Sequence, residues 1–217
     1  MIKMYGADSV RMYEMFMGPL TVSKPWNTQG LVGVNRFLEK IWTLSEKPIT
    51  DIDITGSIED KNLVSLRKTY AKTVKKVTQD TANLDFNVAI SQMMIFVNEA
   101  SKLESLPKQM WEGFILMLSP YAPHLGEELW EKAGHTKTIA YEPWPTFSEE
   151  FCIEDTKQIV VSVNGKVRDK FEAATGTSKE ELERLAKETT GAKKFIDGKT
   201  IVKVIVVPEK LVNIVVK

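Results

Sequence analysis

Residues 107–130 (PKQMWEGFILMLSPYAPHLGEELW) constrain this chain more than any other stretch. Met110, Trp111, Phe114, Ile115, Leu116, Met117 and Leu118 leave no polar stripe on the helix they predict. A helix that is apolar on all sides has no solvent face and must lie inside a packed body. It is too short for a bilayer, which takes roughly 20 apolar residues. It is therefore the expected centre of a helical bundle. Pro107 suits the first turn, where a missing N–H costs nothing. Pro120 and Pro123 stop the helix. A second helix is expected from His124, burying Leu125, Leu129 and Trp130.

The other helices follow from their apolar spacing. Met1 to Gly18 predicts a short helix capped by Asp8, with a methionine-rich face short of partners, and Gly18-Pro19 breaks it. Pro25 to Glu46 carries Trp26, Leu31, Val34, Phe37, Leu38, Ile41 and Trp42 on one stripe. Residues 50–57 predict a polar loop. Residues 58–82 carry a stripe of Leu63, Leu66, Tyr70, Val74 and Val77. Asp85 is the expected cap of a fourth helix over 86–105, which is as apolar as the fifth. Helices four and five should form the interior. Residues 134–155 lack periodicity and predict a boundary, with Trp144 between two prolines plugging the end of the bundle.

From Lys157 the apolar period changes to two, the period of strands. Ile159–Val163 and Lys166–Phe171 flank Asn164-Gly165 and predict a hairpin. A two-residue turn would set Lys166, Arg168 and Lys170 beside Val163, Val161 and Ile159, burying three cations. A three-residue loop, Val163-Asn164-Gly165, avoids this and puts the three cations together on an outer face. Ser178 with Glu181 forms a capping box, and Gly191 ends the helix it starts. Two further strands follow, Ile201–Val207 and Leu211–Val216. The fold class expected is α+β: a helical bundle over residues 21–150, then a small ββαββ, ubiquitin-like domain over 157–217.

The 217 residues allow one large or two modest domains. The single cysteine, Cys152, excludes a disulfide framework and a cysteine zinc site, and its acidic neighbours do not activate it. His124 and His135 lack ligand spacing. No signal peptide or membrane-spanning run is evident, so a cytoplasmic location is expected. No phosphate-binding glycine loop, nucleophile elbow or paired metal ligands occur, and no catalytic or metal-binding residue is assigned. His124 reads as a cap or core histidine rather than a base. Glu127 and Glu128 suit a first helical turn.

Binding remains. The net charge is zero, yet residues 157–217 hold 13 Lys and Arg against 8 Asp and Glu, leaving the rest of the chain acidic. The candidate RNA-contacting residues are Arg36, Lys40, Lys68, Lys72, Lys75, Lys76, Lys166, Arg168 and Lys170. Few acids interleave with the lysines of helix three. That face reads either as solvated helix surface or as a phosphate-facing edge. Scattered lysines suit backbone phosphates, which position a ligand rather than read it. No aromatic stacking platform for single strands is evident, so a folded RNA recognised by shape fits better.

Several segments also resemble bacterial leucyl-tRNA synthetases. Tyr5-Gly6-Ala7-Asp8-Ser9-Val10-Arg11, Phe16-Met17-Gly18-Pro19-Leu20, Lys24-Pro25-Trp26 and Val34-Asn35-Arg36-Phe37-Leu38 are similar to the region after the active-site lysine-serine loop. Pro120–Trp130, with Trp144-Pro145, resembles the bundle shared by the leucyl, valyl and isoleucyl enzymes. Val163–Arg168 and Val207–Asn213 are similar to the C-terminal domain of the leucyl enzymes.

The resemblance implies an anticodon-binding-type bundle over 21–150 and a domain over 157–217 that meets the outer corner of tRNA. It implies that residues 1–20 are a remnant bracing a catalytic domain. The parent would be an ATP- and Mg²⁺-dependent ligase joining leucine to its tRNA in protein synthesis. The nucleotide-binding catalytic domain, its signatures and the editing domain are missing here. This chain alone is therefore expected to be inactive, with no cofactor of its own. The expected partners are a leucine-accepting tRNA and the catalytic domain of the same enzyme. The alternative is a protein-interaction adaptor carrying a ubiquitin-like domain.

Overall fold

The computed structural model describes residues 1–152 and 156–217, which divide into two compact units, residues 1–152 and 153–217. The first is built around the apolar helix. That helix, α6 (Lys108–Leu118), buries Met110, Trp111, Gly113, Phe114, Ile115, Met117 and Leu118. Pro107 occupies its N-cap position. The other helices of the unit are α1 (Ile2–Tyr5), α2 (Ala7–Phe16), α3 (Thr28–Leu44), α4 (Lys61–Ala82), α5 (Phe86–Ala100) and α7 (Pro123–Lys132). The Phe114 ring stacks between Phe96 at 4.8 Å and Trp111 at 5.7 Å. Such pairs add about 0.5–1.5 kcal/mol each beyond the area they bury. A Cβ on Gly113 would lie 1.9 Å from the Tyr70 hydroxyl oxygen, so glycine is what lets α4 close on α6. Burial pushes the Tyr70 hydroxyl up to about 12.

Several local expectations change. Residues 1–18 form two helices, broken at Gly6, whose φ of 82° suits glycine. Asp8 caps neither. Its carboxylate accepts from the His124 Nδ1 at 2.7 Å and from the Leu125 N–H at 2.8 Å, so it caps α7 from 116 residues away. The α7 N-cap is Ala122, which has no acceptor side chain. The N-terminal methionines do not all face outward, because Met12 is fully buried beside buried Tyr13, while Met1 and Met4 are exposed. Trp26 and Trp42 stay 45% and 39% exposed despite their place in the stripe. Helix α4 is capped by Asp60, through the Asn62 and Leu63 N–H groups. Asp85 holds the N-cap position of α5 but makes no side-chain cap bond. The loop after α3 contributes β1 (Ile49–Thr50), paired in parallel with β2 (Leu106–Pro107). Trp144 is not a buried plug. It lies along α4, 37% exposed, and donates its indole N–H to Thr78 Oγ1 at 2.7 Å.

The second unit is a four-stranded mixed sheet with two helices, so the whole is α+β. Its elements are β3 (Thr156–Val163), β4 (Lys166–Ala174), α8 (Lys179–Glu188), α9 (Thr190–Ile196), β5 (Ile201–Val207) and β6 (Leu211–Val216). Strand order is β4-β3-β6-β5, with β3 and β6 parallel at the centre. Ile159, Val161, Val163, Val212 and Ile214 pack against Leu182, Ala186 and Ala192 of the helices. Chain order is ββααββ, one helix more than expected. Gly191 does not end α8 but sits in the first turn of α9.

The hairpin register also differs from the expectation. Val163 pairs with Lys166 and Ser162 with Val167, so the turn has two residues. Asn164 and Gly165 both have positive φ, 49° and 78°, as a twist-matched hairpin turn requires. The Asn164 side chain accepts from the Val216 N–H and donates to the Val216 carbonyl, tying the turn to β6. The bulge lies further along: Val161 pairs with Asp169, leaving Arg168 as the extra residue. Lys170 then falls opposite Val160, on the face away from the helices. The three cations do not share a face.

Candidate nucleic-acid interface

The candidate cations of the first unit are largely engaged by the protein itself. On α3, Arg36 is exposed and one turn from Lys40, whose Nζ donates to Asn98 Oδ1 of α5 at 2.7 Å. On α4, Lys75 pairs with Glu149 at 2.7 Å, and this bond raises the Lys75 pKa. Lys76 pairs with Asp80 one turn on, at 3.1 Å. Lys68 and Lys72 are half-buried and have partners of their own. The sequence around α4 shows few neutralising acids because Glu149 comes from a 3₁₀ turn, Glu149–Cys152, that packs on α4. The same turn places the Phe151 ring under Arg67, 4.2 Å from its centre. Arg67 Nη1 donates to the carbonyls of Ile54 and Gly56. The adjacent Cys152 thiol has its pKa raised, first by burial and then by Glu149.

The cations of the second unit are arranged differently. Lys166 and Lys170 are exposed, and among the described residues neither is paired with a carboxylate. Arg168, lifted by the bulge, lies over the Phe195 ring of α9 with its guanidinium carbon 3.7 Å from the ring centre. It has no hydrogen bond among the described residues, and its Nε is buried without a partner. Asp169 beside it accepts from the Gly191 N–H at 2.7 Å and from its neighbour's N–H at 2.9 Å. Those backbone donors, Gly191 first, hold the Asp169 carboxyl below its ordinary pKa. A Cβ on Gly191 would lie 2.3 Å from the Arg168 carbonyl oxygen, so only glycine allows α9 to approach the bulge this closely. Phe195 and Gly191 were not legible as site residues, because their role depends on where the bulge falls.

Among the described residues no cluster of three or more metal-ligating side chains exists, and no helix is long and apolar enough to cross a membrane.

The architecture is thus a helical bundle followed by a small mixed sheet that carries exposed cations. The profile of the anticodon-binding domain of tRNA ligases matches residues 65–183, more than half of the chain. The chain belongs to that family. It is 51% identical, over 99% of its length, to a leucine–tRNA ligase from Treponema pallidum subsp. pallidum. It covers 26% of that relative, so it spans about a quarter of the longer protein, in its C-terminal part. Among solved structures, its fold matches the agnB2 LeuRS of Agrobacterium radiobacter K84, crystallised in a ternary complex with tRNA and LeuAMS. That match has a TM-score of 0.75 at 22% identity and covers 100% of this chain and 29% of the other. At that identity it shows a shared fold. None of these similarities supports the adaptor alternative.

Proposed function

We propose that this chain is the tRNA-supporting C-terminal portion of a leucine–tRNA ligase, holding a leucine-accepting tRNA while a catalytic domain outside these 217 residues leucylates it. The observation that carries this reading is the 51% identity along 99% of the chain to a leucine–tRNA ligase. The unpaired cations of the second unit support an RNA partner, because phosphate contacts need cations not already neutralised.

The remaining assignments belong to the same reading. Residues 21–150 act as the tRNA-supporting bundle and 157–217 as the domain meeting the tRNA corner. The central parallel pair of the latter suits a ubiquitin-like arrangement, with α9 added. Residues 1–20 brace the catalytic domain through exposed Met1 and, on α1, Ile2 and Met4, while Met12 anchors α2 in the bundle. ATP and Mg²⁺ belong to the catalytic domain. The place of action is the cytoplasm, where tRNA is charged.

Gel-shift titration of the chain with a leucine tRNA and an unrelated tRNA tests the reading. Binding should weaken steeply between low and physiological salt, since phosphate contacts release counterions. No binding to either RNA at low salt would overturn it.

A further inference from the structure

We propose that Arg168, held over the Phe195 ring within the β4 bulge, is a preorganised anchor for one backbone phosphate of a folded RNA. This rests on the tRNA-binding reading above and goes beyond it, because it singles out one residue and one geometry.

Four observations carry the inference. First, the guanidinium is fixed in orientation. The Phe195 ring centre lies 3.7 Å from its central carbon, and the bulge holds the backbone that bears it. Second, that backbone is locked to α9 by the Gly191–Asp169 hydrogen bond at 2.7 Å and by the lack of room for a Cβ at Gly191. Third, Arg168 is not neutralised. The adjacent Asp169 carboxylate is engaged by backbone N–H groups, and among the described residues no other acid pairs with Arg168. Fourth, Nε is buried without a partner in a side chain that is only half-buried, and among the described residues neither Nη group is hydrogen-bonded. The donors left for a ligand are therefore those of the end-on Nη1/Nη2 fork.

A planar fork with two parallel donors matches two oxygens of one phosphate, and it loses less conformational freedom on binding than a lysine does. Burial of Nε disfavours the side-on mode, which needs Nε. Lys166 and Lys170, exposed on flexible stems, supply diffuse attraction around the anchor.

The test compares four forms of the whole 217-residue chain in tRNA titrations at several salt concentrations: wild type, Arg168→Lys, Phe195→Leu and Lys166→Gln/Lys170→Gln. Arg168→Lys keeps the charge and removes the fork. It should weaken binding about tenfold, as expected for one charge-assisted pair, with the salt slope nearly unchanged. Phe195→Leu keeps an apolar side chain and removes the ring. It should weaken binding by a similar factor and add little when combined with Arg168→Lys, since both changes disrupt one anchor. The lysine pair should instead lower the salt slope by about one per residue. Amide exchange at Val216 confirms that each variant keeps the hairpin. If Arg168→Lys binds like wild type while the lysine pair weakens binding, the anchor proposal is overturned and the tRNA reading stands. If wild type fails to bind at low salt, both are overturned.

Discussion

Two arginines among the described residues lie over phenylalanine rings, and they do different things. Arg67 rests on Phe151 and directs Nη1 to the carbonyls of Ile54 and Gly56, so it fastens a loop to α4. Arg168 rests on Phe195 and directs nothing to the protein. Both have a buried, unpartnered Nε. The difference extends to their neighbours. Around Arg67, the lysines of α4 are paired with Glu149 and Asp80 or otherwise engaged. Around Arg168, Lys166 and Lys170 are exposed and unpaired with acids among the described residues. Cation count alone would rank the α4 face above the hairpin. Whether a cation is already occupied is the better guide to whether it can meet a ligand.

The sharpest way to break the comparison is Gly191→Ala. The added Cβ would meet the Arg168 carbonyl and push α9 off the bulge, costing about 1–3 kcal/mol in the second unit. Protection from amide exchange in β3 and β4 should fall, and tRNA affinity should fall with it. Retained affinity in a destabilised variant would mean that Arg168 works without its lock.

Arg67→Met should cost the bundle about 2 kcal/mol, through two lost charge-assisted bonds to carbonyls. Denaturant unfolding of the first unit measures this. Affinity for tRNA should stay within about twofold, since one cation in a dispersed field contributes little at physiological salt. A large loss of affinity with the fold intact would show that Arg67 also faces RNA, and the contrast would collapse.

The smallest effect concerns pH. The Gly191 and Lys170 N–H groups depress the pKa of Asp169 in the folded state. A depressed carboxyl stabilises the fold above its unfolded value, near 3.8, and that contribution is lost as pH falls through the folded value. Thermal unfolding of the second unit between about pH 7 and 3 should therefore show an acid-side loss that Asp169→Asn lacks. Identical profiles would remove the Asp169 lock from the argument.

Much of the architecture was legible in the sequence, and for a specific reason. Apolar periodicity records burial directly, so the all-round apolar helix over 108–118 lies in the core and the strands over 157–217 follow their period-two pattern. Capping was legible only where it is local. Ser178 accepts from the Glu181 N–H, three residues on, as its motif indicates. Asp8 caps a helix 116 residues away, and no local rule could assign it.

The candidate site was less legible. The sequence named Arg168 among nine cations but placed it on a flat outer strip. The objection to a two-residue turn, that it buries three cations, was sound for a regular ladder; the bulge at Arg168 moves Lys170 to the other face, and Lys166, though opposite Val163, is exposed beside the turn.

The sequence by itself determined most of the helices, the four strands of the second unit, where the core lies, and that cations outnumber acids from residue 157 on. Those properties depend on residue type and spacing within one element. The tertiary structure alone decided the turn length, which Asn164 settles by bonding to Val216, and the bulge that lays Arg168 on Phe195. It also decided the neutralisation of Lys75 by Glu149. Each of these joins groups 27 to 74 residues apart, and a contact between distant segments leaves no periodic trace in either one.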